Sequence, residues 1–168
     1  LNRLENRGFF YSTAASEFEE SEQKASIDYT VKVPTPYRME TYQLDSLPAP
    51  IYGDIKELVK TSPFEKGMRF DLSSMKLERQ RIDLNLKKQG YYNFDDSFLI
   101  FEADTNRYDN KHFDLFLKLK NGIPKKSTIP YKISKVNIYP NYDVADSIQK
   151  QTIRYNEKDC LLSTSNAA

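Results

Sequence analysis

Tryptophan is absent from these 168 residues, and cysteine, histidine and glycine occur one, one and five times. A single cysteine, Cys160, excludes an internal disulfide and leaves the redox compartment open; it reads as a free thiol near a frayed end. A single histidine, His112, excludes multi-histidine metal sites. So few glycines favour packed sheet over flexible linker, and no Gly-rich phosphate loop is present. No apolar run reaches the roughly 20 residues of a membrane-spanning helix. Asn2, Arg3 and Glu5 interrupt the apolar core a secretory signal would need. Charge of either sign is not in excess, 25 basic against 24 acidic side chains, which gives no reason to expect nucleic acid as a partner.

What the chain does have is aromatic residues, 12 Tyr and 10 Phe, and a repeated signal. LENRGFF (residues 4–10) returns as LKKQGYY (86–92): Leu, three polar residues, Gly, two aromatics. In each copy the glycine is placed to adopt the left-handed conformation that ends a helix. After Gly8 the run Phe9-Phe10-Tyr11 reads as extended, EFEESEQK as a polar link, and ASIDYTVKV as a strand burying Ile27, Tyr29, Val31 and Val33 on one face. After Gly90 come an extended stretch from about Asn93 to Ala103, the link TNRYDN, and HFDLFLKLK with Phe113, Leu115, Leu117 and Leu119 on one face.

Each passage is followed by a Pro-Tyr strand. Pro36, Tyr37, Met39, Tyr42 and Leu44 match Pro130, Tyr131, Ile133, Val136 and Ile138 in offset. Both copies step by three in the middle, so each predicts one extra residue at a β-bulge. Between the Pro-Tyr strand and Gly90, IYGDIKELVK reads as a helix with Ile51, Ile55, Leu58 and Val59 inward. A second helix runs from about Leu72 to Gln89. Asp71 and Ser73 are its candidate N-caps, Met75, Ile82 and Leu86 its inner stripe, and Leu77 and Leu84 lie beside that stripe. The tail from Gln151 carries no clear pattern. Longer disordered stretches are expected around 16–25, 103–111 and 140–168.

The order is therefore strand, helix, helix, strand, strand. Two helices cover one face of a three-stranded mixed sheet, so the class is α+β with tandem repeats. Residues 1–35 read as the C-terminal half of a first repeat and 36–123 as a complete one. Residues 124–168 read as the first strand of a following repeat plus an irregular tail. The Pro34-Thr35-Pro36 link predicts restricted hinging.

These units resemble POTRA domains, the periplasmic repeats of the BamA/TamA outer-membrane assembly and translocation family. The resemblance rests on ERQRIDLNLKKQGYYNF (78–94) and PYKISKVNIYP (130–140), with LENRGFF and PYRMETYQL as earlier copies, and covers about residues 1–140. Its Tyr-rich style is similar to TamA-like proteins of Bacteroides-type bacteria. The resemblance implies sheet order 1-3-2, with HFDLFLKLK central and the preceding strand an edge. It also implies a periplasmic location in a Gram-negative bacterium, an outer-membrane β-barrel further along the parent chain, and as partners unfolded outer-membrane clients or periplasmic and lipoprotein accessory subunits. It implies no catalytic residue, cofactor or metal.

An edge strand can bond extended peptides with little regard to their sequence. Ser97, Phe98, Leu99, Ile100, Phe101 and Glu102 are the candidate partner-binding residues, core packing being the competing role of this apolar run. Other readings are a two-partner secretion transporter, a division scaffold using related repeats, and an enzyme on a ferredoxin-like scaffold. For chemistry the only candidates are His112 with Cys160, and the carboxylates Asp95 and Asp96 or Glu19, Glu20 and Glu22. His112 falls opposite the apolar face, and the carboxylates read as loop charge.

Overall fold

The computed structural model describes residues 1–45, 49–108, 110–138, 149–155 and 158–164, in two compact units, 1–130 and 131–168. The first holds α1 (Asn2–Glu5), β1 (Thr13–Ser21), β2 (Lys24–Lys32), β3 (Arg38–Leu44), α2 (Ile51–Lys60), α3 (Leu72–Lys88), β4 (Leu99–Asp104) and β5 (His112–Leu119). Strands β3, β5 and β4 form a mixed sheet in that order, β3 parallel and β4 antiparallel to β5. The α+β class and the 1-3-2 order hold.

Alternation in β5 explains why it is central. Phe113, Leu115, Leu117 and Leu119 are all buried, each at most 9% exposed, and pack on α2 and α3. Burial of each such side chain is worth about 1.5–3 kcal/mol, before the entropy of ordering is counted. Asp71 caps α3, its carboxylate accepting the Ser73 and Ser74 amides at 2.8 and 3.3 Å. Met75, Ile82 and Leu86 face inward as expected, but Leu77 and Leu84 are 65% and 59% exposed. At about 100° per residue both fall on the side of the helix opposite Met75, not beside it.

The bulge lies where the Pro-Tyr strand slips. Register shifts between Met39 and Thr41, which brings Met39 and Tyr42 to the same core face. Residues 67–70 lie along the free side of β3 there, through Met39 N–H to Met68 O at 2.8 Å and Phe70 N–H to Tyr37 O at 2.9 Å. The second copy behaves differently: residues 131–135 form no strand, Tyr131 and Ile133 are exposed, and pairing begins only at Val136.

The segment after Gly8 also departs from expectation. Phe10 and Tyr11 form a turn and Phe9 joins no strand, with Tyr11 left-handed at φ 63°. The supposed polar link is strand β1, paired with β2 in unbroken register through a two-residue turn at 22–23. The expected buried face of β2 is open: Phe18, Ile27, Tyr29 and Val31 share one face of the hairpin and are 48–71% exposed, because no described element of the first unit covers it. Among the residues expected to be disordered, 104–108 form the end of β4 and a turn, the latter closed by Tyr108 N–H to Thr105 O.

The second unit is a sheet of β6 (Val136–Ile138), β8 (Lys158–Thr164) and β7 (Gln149–Tyr155), with β6 parallel and β7 antiparallel to β8. The tail without a pattern thus contains a hairpin, and the strand order of the first sheet recurs. Residues 139–148 join β6 to β7 where 45–98 join β3 to β4.

Alkaline pH should weaken the first unit. Burial, then the hydrogen bond to Asp54 at 2.5 Å, push the Tyr91 hydroxyl up to about 12. The folded state therefore keeps this proton at pH values where the unfolded chain has lost it. Stability is fully present below pH 10 and falls as pH rises through 12. Urea titrations between pH 9 and 12 should show a shallower decline for Tyr91→Phe than for the parent chain.

Candidate edge-strand site

Direction along β4 decides which of its backbone groups are free. Phe98 C=O accepts the Lys120 amide at 2.9 Å, so the groups of Phe98, Ile100, Glu102 and Asp104 point toward β5. Antiparallel alternation turns those of Leu99, Phe101 and Ala103 outward. Arg79 already donates to Leu99 O at 3.3 Å. Phe101 and Ala103 are left with an amide and a carbonyl each, open to an added strand. The other margin of the sheet is blunted by residues 67–70 and by the ion pair of Lys66 with Glu40.

The six candidate residues separate on this basis. Ser97 and Phe98 precede the strand, in a one-turn helix (Asp96–Phe98) capped by Asp95, whose carboxyl is held low by the Ser97 hydroxyl and then its amide. Phe98 packs edge-on against Phe94. Leu99 is wholly buried, Ile100 is exposed on the outer face, and Glu102 pairs with Lys118 at 2.8 Å on that face. Lys118 also reaches Asp45 at 3.1 Å, and the two carboxylates raise its pKa. Phe101 alone combines an outward backbone with a side chain at the groove below.

That groove runs from between β4 and α3 to the segment that follows Gly8. One part, about 230 Å³, is lined by Phe10, Tyr11, Tyr37, Phe70, Ala103, Thr105 and Phe113. The other, about 250 Å³, is lined by Phe70, Met75, Lys76, Arg79, Phe101, Ala103 and neighbouring side chains. The two share Phe70 and Ala103, so they run end to end beneath the open edge. Sequence reasoning missed Ala103, Thr105, Phe10 and Tyr11. Hydrophobicity marks an edge strand, but only its register tells which backbone groups look outward.

His112 is half-buried with Nδ1 2.8 Å from both Asn110 O and Oδ1, and no metal-binding group of His, Cys, Asp and Glu occurs among the described residues. The buried Asp114 carboxylate has structural partners, the Thr41 and Tyr108 hydroxyls at 2.5 and 2.8 Å.

No protein-family model and no curated protein matches the chain. Among solved structures it is similar to BamA from Haemophilus ducreyi lacking POTRA domains 1–3, at 15% identity and a TM-score of 0.45, over 70% of this chain and 20% of that one. It is also similar to POTRA domains 3–5 of Haemophilus influenzae BamA, at 9% identity and a TM-score of 0.43, over 97% of this chain and 75% of that one. A likeness this distant assigns no family.

Proposed function

We propose that the chain is a periplasmic, POTRA-type portion of an outer-membrane protein assembly or translocation factor, and that it binds client or accessory proteins by adding their extended segments to β4. On this reading residues 1–35 close a first repeat, 36–123 form a complete one, 124–168 begin another, and a membrane β-barrel belongs to the same parent protein. One observation carries the binding role: Phe101 and Ala103 present unpaired backbone groups above an apolar groove, on the one margin of the sheet that residues 67–70 leave open. Backbone bonding suits a protein that must accept many sequences. The repeat organisation is supported by the cap geometry. Phe9 N–H bonds Leu4 O and Tyr91 N–H bonds Leu86 O, both at 3.0 Å, around glycines at φ 85° and 100°.

Amide-shift mapping with an extended peptide from an unfolded outer-membrane barrel protein tests the proposal. Shifts should centre on Phe101 and Ala103; shifts confined to α2 and α3 would reject it. Ala103→Pro removes an outward N–H without touching the β4–β5 ladder. It should weaken the peptide at least tenfold, roughly the loss of one backbone bond plus the steric block, while the unfolding midpoint changes little.

A further inference from the structure

The groove under β4 is not built by one repeat alone. Its far end is walled by Phe10 and Tyr11, which follow the helix-ending Gly8 and belong to the segment preceding the complete unit. Phe10 is fixed there by edge-on contacts with Tyr37 and Phe70, ring centroids 5.4 and 5.1 Å away. Tyr11 is different. It is 81% exposed, held in a left-handed conformation, and lines the groove. Non-glycine residues are rarely held this way, and this aromatic ring is spent on solvent unless something covers it.

The near end has a distinct character. Lys76 and Arg79 rim it, and neither joins an ion pair among the described residues. Aromatic surface at the Thr105 end and uncompensated positive charge at the other end, where Arg79 reaches Leu99 O, lie about four to six strand residues apart. Only an extended chain can use both together with the open backbone between them.

We infer that the β4 site is a composite of two successive repeats, and that it selects extended polypeptide segments carrying an aromatic side chain, read by Tyr11, and an acidic side chain four to six residues away, read by Lys76 and Arg79. This rests on the strand-addition reading above and names the partner chemistry within it. Selection is modest by design. One aromatic contact and one exposed charge pair bias a site whose main bonds ignore sequence.

The test uses the whole chain, isotopically labelled, and end-blocked nine-residue peptides of alternating Thr and Val with Tyr and Glu four or six residues apart, in both orders. Replacing the peptide Tyr by Ala should weaken binding roughly three- to tenfold, the worth of one aromatic contact. Replacing its Glu by Lys should weaken it further and reverse the sign of its salt dependence, because salt then screens a repulsion. In Tyr11→Gly, which suits φ 63° and so keeps the turn, the Tyr and Ala peptides should bind alike. If Tyr11→Gly still separates them, or the parent chain does not, Tyr11 reads nothing and the inference fails while strand addition stands. If Ala103→Pro binds both peptides as the parent does, strand addition itself fails. A parent chain that binds neither peptide overturns both.

Discussion

Arg81→Met should destabilise the first unit by about 3–5 kcal/mol, the cost of leaving a buried charge without its partner. Glu78 lies on the inner stripe of α3 with its side chain fully shielded. Arg81 answers it with two donors, at 2.7 and 2.9 Å, and gives a third hydrogen bond to Leu58 O at 2.6 Å. That last bond ties α3 to the end of α2, so one guanidinium closes the helical layer as well as neutralising the carboxylate. Tyr42 adds its hydroxyl 3.4 Å from Glu78, and burial followed by that negative charge raises its pKa. Methionine keeps the length and loses every donor. A double change, Glu78→Leu with Arg81→Met, should recover most of the loss, because an apolar pair of similar volume is often as stable as the ion pair it replaces. Urea unfolding of the two single variants and the double variant measures the coupling directly. If Arg81→Met costs under 1 kcal/mol, Glu78 is solvated in a way its burial does not allow.

Glu78 also shows where sequence reading stopped. The inner stripe of α3 was visible through Met75, Ile82 and Leu86, yet a charged residue on the same stripe gives no sign that it is buried until its arginine is found one turn on. Elements whose own residues decide them were legible: β5 by alternation, α2 by its apolar face, α3 by its Asp71 cap, and the bulge by the Met39-to-Tyr42 step. Elements decided by a partner were not. The polar run from Thr13 pairs as β1 only because β2 lies opposite it, and β2 lacks the cover its alternation predicts. The candidate site divides in the same way. Hydrophobicity pointed to the stretch up to Glu102, but the outward bonds belong to Phe101 and Ala103, and the far wall comes from Phe10 and Tyr11, near the other end of the first unit's sequence.

Gly8→Ala should cost roughly 2–5 kcal/mol, and the reason lies where the segment around Gly8 meets Tyr37 and residues 70–72. At φ 85° an alanine loses about 1–2 kcal/mol to the left-handed backbone alone. Its Cβ would also stand 3.0 Å from both Cβ and O of Phe70. The latter is main chain and cannot rotate away, so the segment or the strand-like residues 67–70 must move, an overpacking cost of about 1–3 kcal/mol. Gly8 lies at a seam. Its carbonyl accepts the Tyr37 amide and Asn6 O accepts the Leu72 amide, both at 2.9 Å, while Arg69 lies 5.3 Å over the Phe9 ring. Gly67→Ala is the control, having the same φ of 85° and open space around its Cβ, and should show only the backbone part. The difference between the two variants, read by urea unfolding, isolates the Phe70 contact. Because Phe10 follows two residues after Gly8, the same displacement should shift the groove wall, and amide shifts at Phe70, Ala103 and Thr105 should move in Gly8→Ala but not in Gly67→Ala. A Gly8→Ala variant as stable as Gly67→Ala would mean that the seam yields freely, and that neither the joint nor the composite groove is held rigid by it.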